Sequence, residues 1–290
     1  MFLSLKINKK IIASIVSIIT AGVLMTCILT NAKAVSKEKD GVFVPIIMYH
    51  SILKDENMWG EYVVSPVNLE KDIIYLKENG YTPVFVNDLI RYVNNGEKLP
   101  EKPVVLTFDD GTYNNYTYLL PLLEKYDFKA TISIVGSYTV NASESGEEPN
   151  PAYSYLRWED INEMRSSGKV EFCNHTYDMH NLSPRKGAGR MDGESYEDYR
   201  SVFIKDIFKV QDLCNENCGF KPNVFTYPFG ATDESAQRLV KNSGFQASLG
   251  VEEKPNYIKK DDTACLYNMY RYNRPNNIST EEFMEKALKG

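Results

Sequence analysis

Two acidic residues and two histidines have the types and spacing that a hydrolytic metal site requires. Asp109 and Asp110 are neighbours at the end of an apolar, β-branched run, and Gly111 follows them. His175 and His180 are two of the three histidines in the protein and lie within six residues. One carboxylate and two imidazoles form the mixed oxygen and nitrogen ligand set that suits a catalytic zinc ion with open coordination positions. A second carboxylate beside the first can act as a base.

The spacing of the two histidines indicates a loop rather than a helix. Residues at i and i+5 on a helix point away from one another, so this is not a helical zinc motif with ligands at i and i+4. The predicted strand Val170–Asn174 ends directly before His175, and a turn after it would allow both side chains to reach one metal. A lone histidine is usually a satisfied polar residue. The prediction of a metal site therefore depends on both histidines together with the acids.

The two aspartates cannot easily point to the same place from a regular strand. One can bind the metal while the other, Asp109, faces the bound water. Metal coordination lowers the pKa of water towards ~7. Asp109 would take the proton, and the metal with a backbone N–H would hold the oxyanion. The alternative is a simple turn in which Asp109 caps the following helix.

Strand-like and helix-like segments alternate from residue 43 to the end, which is typical of parallel βαβ units. The pattern predicts an α/β fold with a single (β/α) barrel, distorted or incomplete. Active sites of such barrels lie at the C-terminal ends of the strands. Asp109, His175 and the segment Pro228–Gly230 each follow a predicted strand, so we expect them to meet at one face.

The element boundaries follow from apolar periodicity and from Gly, Pro and capping residues. The predicted strands are Val44–Met48, Val84–Val86, Val104–Phe108, Ala130–Val135, Val170–Asn174, Val224–Tyr227, Gln246–Gly250 and Leu266–Arg271. The predicted helices are Asn68–Asn79, Asp88–Val93, Tyr116–Tyr126, Trp158–Ser166, Tyr196–Cys214, Asp233–Asn242 and Thr280–Leu288. The polar stretches Asn141–Tyr155 and Ser183–Asp198 are predicted to be long loops.

The N-terminal segment has the pattern of an export signal. Lysines precede an apolar run from Ile11 to Leu29 that carries no charge, and small residues around Ala34 offer a cleavage site. Residues 1–34 are predicted to be a signal peptide or an N-terminal membrane anchor, residues 35–42 a linker, and residues 43–290 the catalytic domain. Either form places the domain outside the cytoplasmic membrane, with membrane contact only through this segment.

The charge of the chain limits its partners. The formal net charge is −6, and residues 1–34 contribute four lysines and no acid, so the remainder is close to −10. An acidic protein gains nothing from counterion release on nucleic acid, and we expect no nucleic-acid partner. A neutral glycan or a cationic amino-sugar polymer is compatible with this charge.

The chain resembles the polysaccharide deacetylases of carbohydrate esterase family 4, the NodB-homology group, from about residue 42 to the C-terminus. The motif Thr107–Gly111 is highly specific in its strand context. The resemblance implies Asp109 as the base and Asp110, His175 and His180 as metal ligands, although the commonest histidine spacing in the family is one residue shorter. It also implies a divalent metal cofactor. Zn²⁺ is the expected ion, and other divalent transition metals are the alternatives.

The segment Thr226–Gly230 looks like a groove motif of that family. The resemblance implies that the backbone N–H of Phe229 contacts the oxyanion, and that Tyr227 and Pro228 contribute to substrate binding. Most family members carry arginine where Thr226 stands, which leaves the orientation of Asp109 unexplained.

Arg271 is a second residue of interest in the late part of the chain. One hypothesis is that it orients a catalytic carboxylate in place of the missing motif arginine, or contacts the substrate. A surface or loop-anchoring role is the alternative.

The third histidine, His50, is the remaining candidate for a general acid. The family usually places that histidine late in the chain, yet none follows His180. His50 comes just after the predicted strand Val44–Met48, in a segment similar to the N-terminal part of the poly-β-1,6-N-acetylglucosamine deacetylases. We hypothesise that His50 protonates the leaving amine. The alternative is a structural histidine that forms hydrogen bonds with backbone groups at the end of a strand.

The sequence is therefore interpreted as an extracellular or cell-surface, metal-dependent N-deacetylase that acts as a monomer. Its expected substrate is a polysaccharide containing N-acetylglucosamine, either peptidoglycan or poly-N-acetylglucosamine, with water as nucleophile and acetate as product. Two alternatives stay open: an O-acetyl esterase acting on xylan or another glycan with the same site, and a catalytically inactive glycan-binding module.

Overall fold

The structure is a computed structural model that describes residues 41–290. Residues Phe43–Gly290 form one compact unit, which contains the elements that position the site. The signal or anchor predicted for residues 1–34, and most of the linker, lie outside the described residues. Within residues 41–290, no helix has the length and apolar character to cross a membrane.

Short strands alternate with helices along the described chain. The strands are β1 (Val42–Phe43), β2 (Ile46–Tyr49), β3 (Ser51–Ile52), β4 (Val63–Val64), β5 (Thr82–Pro83), β6 (Pro103–Phe108), β7 (Ala130–Ile134), β8 (Val170–Asn174), β9 (Val224–Thr226), β10 (Ala247–Leu249), β11 (Tyr257–Ile258) and β12 (Tyr272–Asn273). The α-helices are α1 (Pro66–Glu78), α2 (Val86–Asn95), α3 (Leu120–Tyr126), α4 (Gly136–Glu144), α5 (Trp158–Ser166), α6 (Tyr196–Cys218), α7 (Glu234–Asn242) and α8 (Thr280–Ala287).

The main sheet is parallel and curls into a distorted barrel. Its strands lie in the order β10-β9-β8-β7-β6-β2-β12, and β5 pairs with β6 from outside this path. An isolated parallel bridge joins Leu249 at the end of β10 to Met269, three residues before β12. The two ends of the sheet therefore approach one another. The prediction of a distorted or incomplete (β/α) barrel is confirmed.

The sheet is covered by apolar helix faces, which explains why its strands read as continuous hydrophobic runs. Every residue of β6 and β7 is buried. Helix α1 begins after Ser65, whose hydroxyl accepts the N–H of Asn68, and buries Leu69, Ile73 and Leu76. Because parallel strands present their C-terminal ends at one face, the residues that follow β2, β6, β8 and β9 are brought together there.

Two predicted strands are wrong. Val84–Val86 does not form a strand, because the Asp88 carboxylate accepts the N–H of Phe85 at 2.8 Å and helix α2 begins at Val86. Leu266–Arg271 does not form one either. The Asp262 carboxylate accepts the N–H of Ala264 and caps a 3₁₀ turn through Leu266, so the strand forms later, as β12.

Other boundaries also differ from the predictions, by one to four residues. The stretch predicted as a loop from Asn141 begins inside helix α4, which continues to Glu144. Helix α6 extends four residues beyond Cys214 and ends at Cys218, where Gly219 adopts the left-handed conformation (φ 66°) that commonly ends helices. The stretch from Ser183 does run without helix or strand to Ser195.

A buried ion pair ties the last part of the chain to helix α1. The Asp72 carboxylate accepts two hydrogen bonds from the Arg274 guanidinium, at 2.8 and 3.1 Å. It also accepts one from the Tyr49 hydroxyl at 3.1 Å and one from the Thr280 hydroxyl at 2.6 Å. Both charged side chains have no exposed surface. The pair therefore connects β2, α1, α8 and the segment after β12.

Replacement of Asp72 by Ala should lower the free energy of unfolding by about 3–5 kcal/mol, because the guanidinium of Arg274 would stay buried without its partner. Chemical denaturation measures this loss. Replacement of Glu285 by Ala is the matched control, since its ion pair with Lys289 is exposed and should contribute little to stability. Equal stability of the two variants would contradict the assignment.

Candidate active site

The two adjacent aspartates leave strand β6 in different directions. The N–H of Asp109 continues the strand pairing and donates to the carbonyl of Tyr49 at 3.0 Å. Asp110 then adopts a left-handed backbone with φ 72°, which is uncommon for a residue other than glycine. Gly111 also has positive φ, and a Cβ there would lie 2.9 Å from Ile134 Cγ2. This turn directs the two carboxylates to different places, as expected for neighbouring residues at the end of a strand.

The histidines lie on a loop that departs from strand geometry at once. His175 still donates its N–H to the carbonyl of Ile134, at 3.0 Å, whereas Thr176 has φ 71°. The Asn174 side chain accepts the N–H of Thr176 at 2.9 Å. A left-handed threonine is costly because of its branched Cβ, so the surrounding hydrogen bonds must hold this turn.

The turn brings three ligand-type side chains together. Asp110 Oδ1 lies 3.1 Å from His180 Nε2 and 3.6 Å from His175 Nε2. The donor atoms of Asp110, His175 and His180 all lie within 4.8 Å of one another. One divalent cation placed between them could contact all three, which gives a possible Asp/His/His metal site.

The hydrogen bonds around His175 test whether these residues fit a metal. His175 Nδ1 lies 2.8 Å from the carbonyl oxygen of Thr226. Because a carbonyl can only accept, Nδ1 carries the proton, and in the neutral ring Nε2 presents a lone pair towards Asp110. Asp110 Oδ1 is buried and has no well-directed hydrogen bond. Electron pairs from a carboxylate and an imidazole facing the same point are what a cation requires, and the backbone carbonyl fixes the ring as outer partners of metal ligands do.

The electrostatics agree with this arrangement. Burial would raise the pKa of Asp110, but the imidazoles of His175 and His180 outweigh it and lower the pKa well below its usual range. Burial would lower the pKa of His175, but Asp110 outweighs it and raises that pKa. The carboxylate thus draws positive charge to this point.

Asp109 is held by the only guanidinium that reaches it among the described residues. Arg271 donates from Nη1 to Oδ1 and from Nη2 to Oδ2, both at 2.8 Å, and from Nε to the carbonyl of Gly250 at 2.6 Å. Both side chains are buried. Burial alone would raise the pKa of Asp109, but Arg271 lowers it below its usual value through its charge and its hydrogen bonds. A surface role for Arg271 is therefore wrong, whereas orientation of Asp109 and anchoring of the loop at Gly250 both match its geometry.

This arrangement explains the threonine in the groove motif. The hydroxyl of Thr226 is hydrogen-bonded to the hydroxyl of Ser133 at 2.7 Å, and its backbone carbonyl accepts a hydrogen bond from His175. Thr226 thus serves the histidine, while the guanidinium for Asp109 comes from the segment before β12.

A cavity of about 920 Å³ opens over these residues, and His50 lies on its wall. Asp109, Asp110, His175 and His180 line the same cavity. Burial lowers the pKa of His50, with Asp109 and Asp110 opposing the shift. Its Nδ1 is buried without a hydrogen-bond partner. His50 is therefore placed at the cavity wall with one ring nitrogen that no protein group engages.

The groove motif is divided between the cavity and the core. Phe229 has φ 56°, lines the cavity and places its ring 4.5 Å from that of His180. Tyr227 and Pro228 are buried, and neither lines the cavity. The expectation that they contact substrate does not match this placement, because Tyr227 packs into an apolar cluster with Phe225.

Sequence reasoning missed one residue that holds the histidine loop. Asp206, on helix α6, accepts the backbone N–H groups of Tyr177 and Asp178 at 2.7 and 2.8 Å. A signal was present: Asp206 is three residues after Phe203 and next to Ile207, both of which are buried on that helix. An acid beside an apolar stripe needs a partner in the folded protein.

A family comparison agrees with the geometry. Residues 96–248 match the family model described as polysaccharide deacetylase. The chain belongs to this family. Its motifs after β6, β8 and β9 all fall within the matched residues, whereas His50 and Arg271 lie outside them.

Similar curated proteins carry a more specific name. The chain is 26% identical over 238 residues to the poly-β-1,6-N-acetyl-D-glucosamine N-deacetylase of Escherichia coli strain K12, covering 76% of this chain and 35% of that protein. It is 28% identical over 228 residues to the protein of that name from Staphylococcus aureus strain MRSA252, covering 79% and 71%. The chain thus spans about a third of the Escherichia coli relative.

The fold also matches the solved structure of a deacetylase. The structure of the Streptococcus pyogenes deacetylase PplD superposes with a TM-score of 0.68 at 21% identity, over 85% of this chain and 99% of that one. This likeness supports the distorted barrel.

Proposed function

We propose that this protein removes N-acetyl groups from a polysaccharide containing N-acetylglucosamine, with a divalent cation as cofactor. The observation that carries the proposal is the placement of Asp109, held by Arg271, beside the Asp110, His175 and His180 cluster in one cavity. The names of the Escherichia coli and Staphylococcus aureus relatives support poly-β-1,6-N-acetylglucosamine as the first substrate to test.

Asp110, His175 and His180 would hold the cation, and Zn²⁺ suits their one-oxygen, two-nitrogen set. When bound, such a cation supplies Lewis acidity towards the acetamide and towards water. The remaining steps belong to the side chains of this chain.

Asp109 is the proposed base. Because Arg271 lowers its pKa, the carboxylate is ionised at neutral pH and can accept the proton of the attacking water. The two hydrogen bonds from Arg271 fix its plane, and they leave further lone pairs for that proton. The backbone N–H of Phe229 is the proposed donor to the oxyanion, since its left-handed turn lies at the cavity wall.

His50 is the proposed general acid. The C–N bond breaks as His50 delivers a proton to the amine nitrogen, because an amine anion is a poor leaving group. Burial lowers the pKa of His50, which makes its imidazolium a strong proton donor once formed. Its ring edge contacts Tyr62 at 4.8 Å between centroids, which restricts its rotation.

The cavity offers apolar surface for a sugar chain. Tyr62, Leu182, Phe229 and Val251 are exposed and line it. The flat apolar faces of sugar rings pack on such side chains, and a cavity of about 920 Å³ exceeds the needs of one acetamide. Export through the hydrophobic N-terminal segment, action at the cell surface and a monomeric state remain predictions.

The function is tested by acetate release from purified poly-β-1,6-N-acetylglucosamine, with chelator and with Zn²⁺ restored. We expect release that chelation abolishes and Zn²⁺ restores. Asp109→Asn should lower the rate about 10²–10⁴-fold, as loss of a positioned base does, whereas Asp212→Asn, an exposed acid on helix α6, should not. Release that resists chelation, or none from the polymer, would contradict the proposal. Faster acetate release from acetylated xylan would favour an O-acetyl esterase. Glycan binding without any acetate release would favour a catalytically inactive module.

Replacement of His50 by Gln should separate amide from ester chemistry. We expect acetate release from chitooligosaccharide to fall about 10²–10⁴-fold. Hydrolysis of p-nitrophenyl acetate should fall far less, because its phenolate leaves without protonation. Both rates are measured on one preparation, with wild-type protein as the reference. An equal loss on both substrates, or no loss on either, would exclude His50 as the general acid.

A further inference from the structure

The loop that carries the histidines is fastened to helix α6 by one carboxylate. Asp206 Oδ1 accepts the N–H of Tyr177 at 2.7 Å, and Oδ2 accepts the N–H of Asp178 at 2.8 Å. Both oxygens are used, and both partners are backbone groups. His180 follows two residues later.

The next residue of the same helix makes a second connection. The Asn174 side chain donates from Nδ2 to the carbonyl of Ile207 at 2.9 Å, and its Oδ1 accepts the N–H of Thr176 at 2.9 Å. One turn of α6 therefore supports the chain on both sides of His175.

Helix α4 holds the opposite side of the loop. Gly136 and Ser137, in its first turn, donate their N–H groups to the carbonyls of Thr176 and Tyr177 at 2.9 and 2.8 Å. The carbonyls of the loop thus face α4 and its N–H groups face Asp206. This alternation defines one path for the backbone between the two helices.

That path decides whether the two histidines converge. Ligands five residues apart reach one point only if the chain turns sharply, and Thr176 does so with φ 71°. Such a conformation persists only where the surroundings over-determine it. Charge-assisted hydrogen bonds from backbone N–H groups to a carboxylate are among the stronger ones available, and Asp206 makes two of them.

We infer that Asp206 is a positioning residue for the metal site, which fixes the direction of the chain between His175 and His180. This inference rests on the metal role given to those histidines in the proposed function. Asp206 makes no contact with the ligand atoms, so its effect is transmitted through the backbone of residues 177 and 178.

Two substitutions test the inference against a matched control. Asp206→Asn keeps the shape but replaces one acceptor oxygen by an NH₂ group, which then faces a backbone N–H. Asp206→Ser is smaller and admits water, and it serves if the first variant does not fold. Asp212→Asn is the control, because Asp212 lies on the same helix, is 64% exposed and approaches Lys221 only at 3.9 Å.

The measurements are Zn²⁺ affinity, by competition with a chromophoric chelator, and the visible absorption spectrum of the Co²⁺-loaded protein. We expect Asp206→Asn to weaken Zn²⁺ binding about 10–100-fold, the usual effect of losing an outer-shell partner, and to alter the Co²⁺ bands. Asp212→Asn should match the wild type in both. Circular dichroism checks that each protein is folded.

The outcomes separate this inference from the proposed function. Zn²⁺ affinity within twofold of wild type and an unchanged Co²⁺ spectrum, in a folded Asp206 variant, would overturn the positioning role while leaving the proposed function intact. A wild-type protein that binds neither ion would overturn the proposed function, and the inference with it.

Discussion

A buried carboxylate that faces two imidazole nitrogens needs positive charge between them. Asp110 Oδ1 lies 3.1 and 3.6 Å from the two Nε2 atoms, and the Thr226 carbonyl keeps the proton of His175 on its far nitrogen. Such a cluster is stable with a proton on a ring or a cation at its centre. Left-handed turns at Asp110 and Thr176 create this cluster, and they persist because the surrounding contacts hold them.

The barrel supplies the remaining parts from separate strands. Asp109 follows β6, His50 follows β2, and Arg271 reaches Asp109 from the segment before β12 while bonding to Gly250 after β10. The guanidinium therefore stabilises the base and also joins the region where the two ends of the curled sheet meet. Arg274, three residues later, is buried against Asp72. Two buried ion pairs thus anchor the same segment, and its position sets the orientation of the base.

Much of this arrangement could be predicted from local sequence. Polar residues directly after apolar runs indicated where the strands end. Because parallel strands place those ends at one face, Asp110 and His175 were expected to lie close together. Arg271 could be proposed from the sequence as the residue that orients a catalytic carboxylate, but not chosen over a surface or loop-anchoring role, because it lies 162 positions from Asp109. Burial of Tyr227 was also missed, because the sequence of its strand does not show which helices pack over its side chain. The early start of α2 depends on one side-chain cap, Asp88, which outweighs the β-branched residues before it.

The most direct test of the account is anomalous diffraction from crystals grown with Zn²⁺, recorded on both sides of the zinc absorption edge. The account predicts one strong site among the described residues, bonded to a carboxylate oxygen of Asp110 and to Nε2 of His175 and His180 at ordinary zinc distances of about 2.0–2.2 Å. Zinc bound elsewhere, or through the Nδ1 atom of His175, would contradict it.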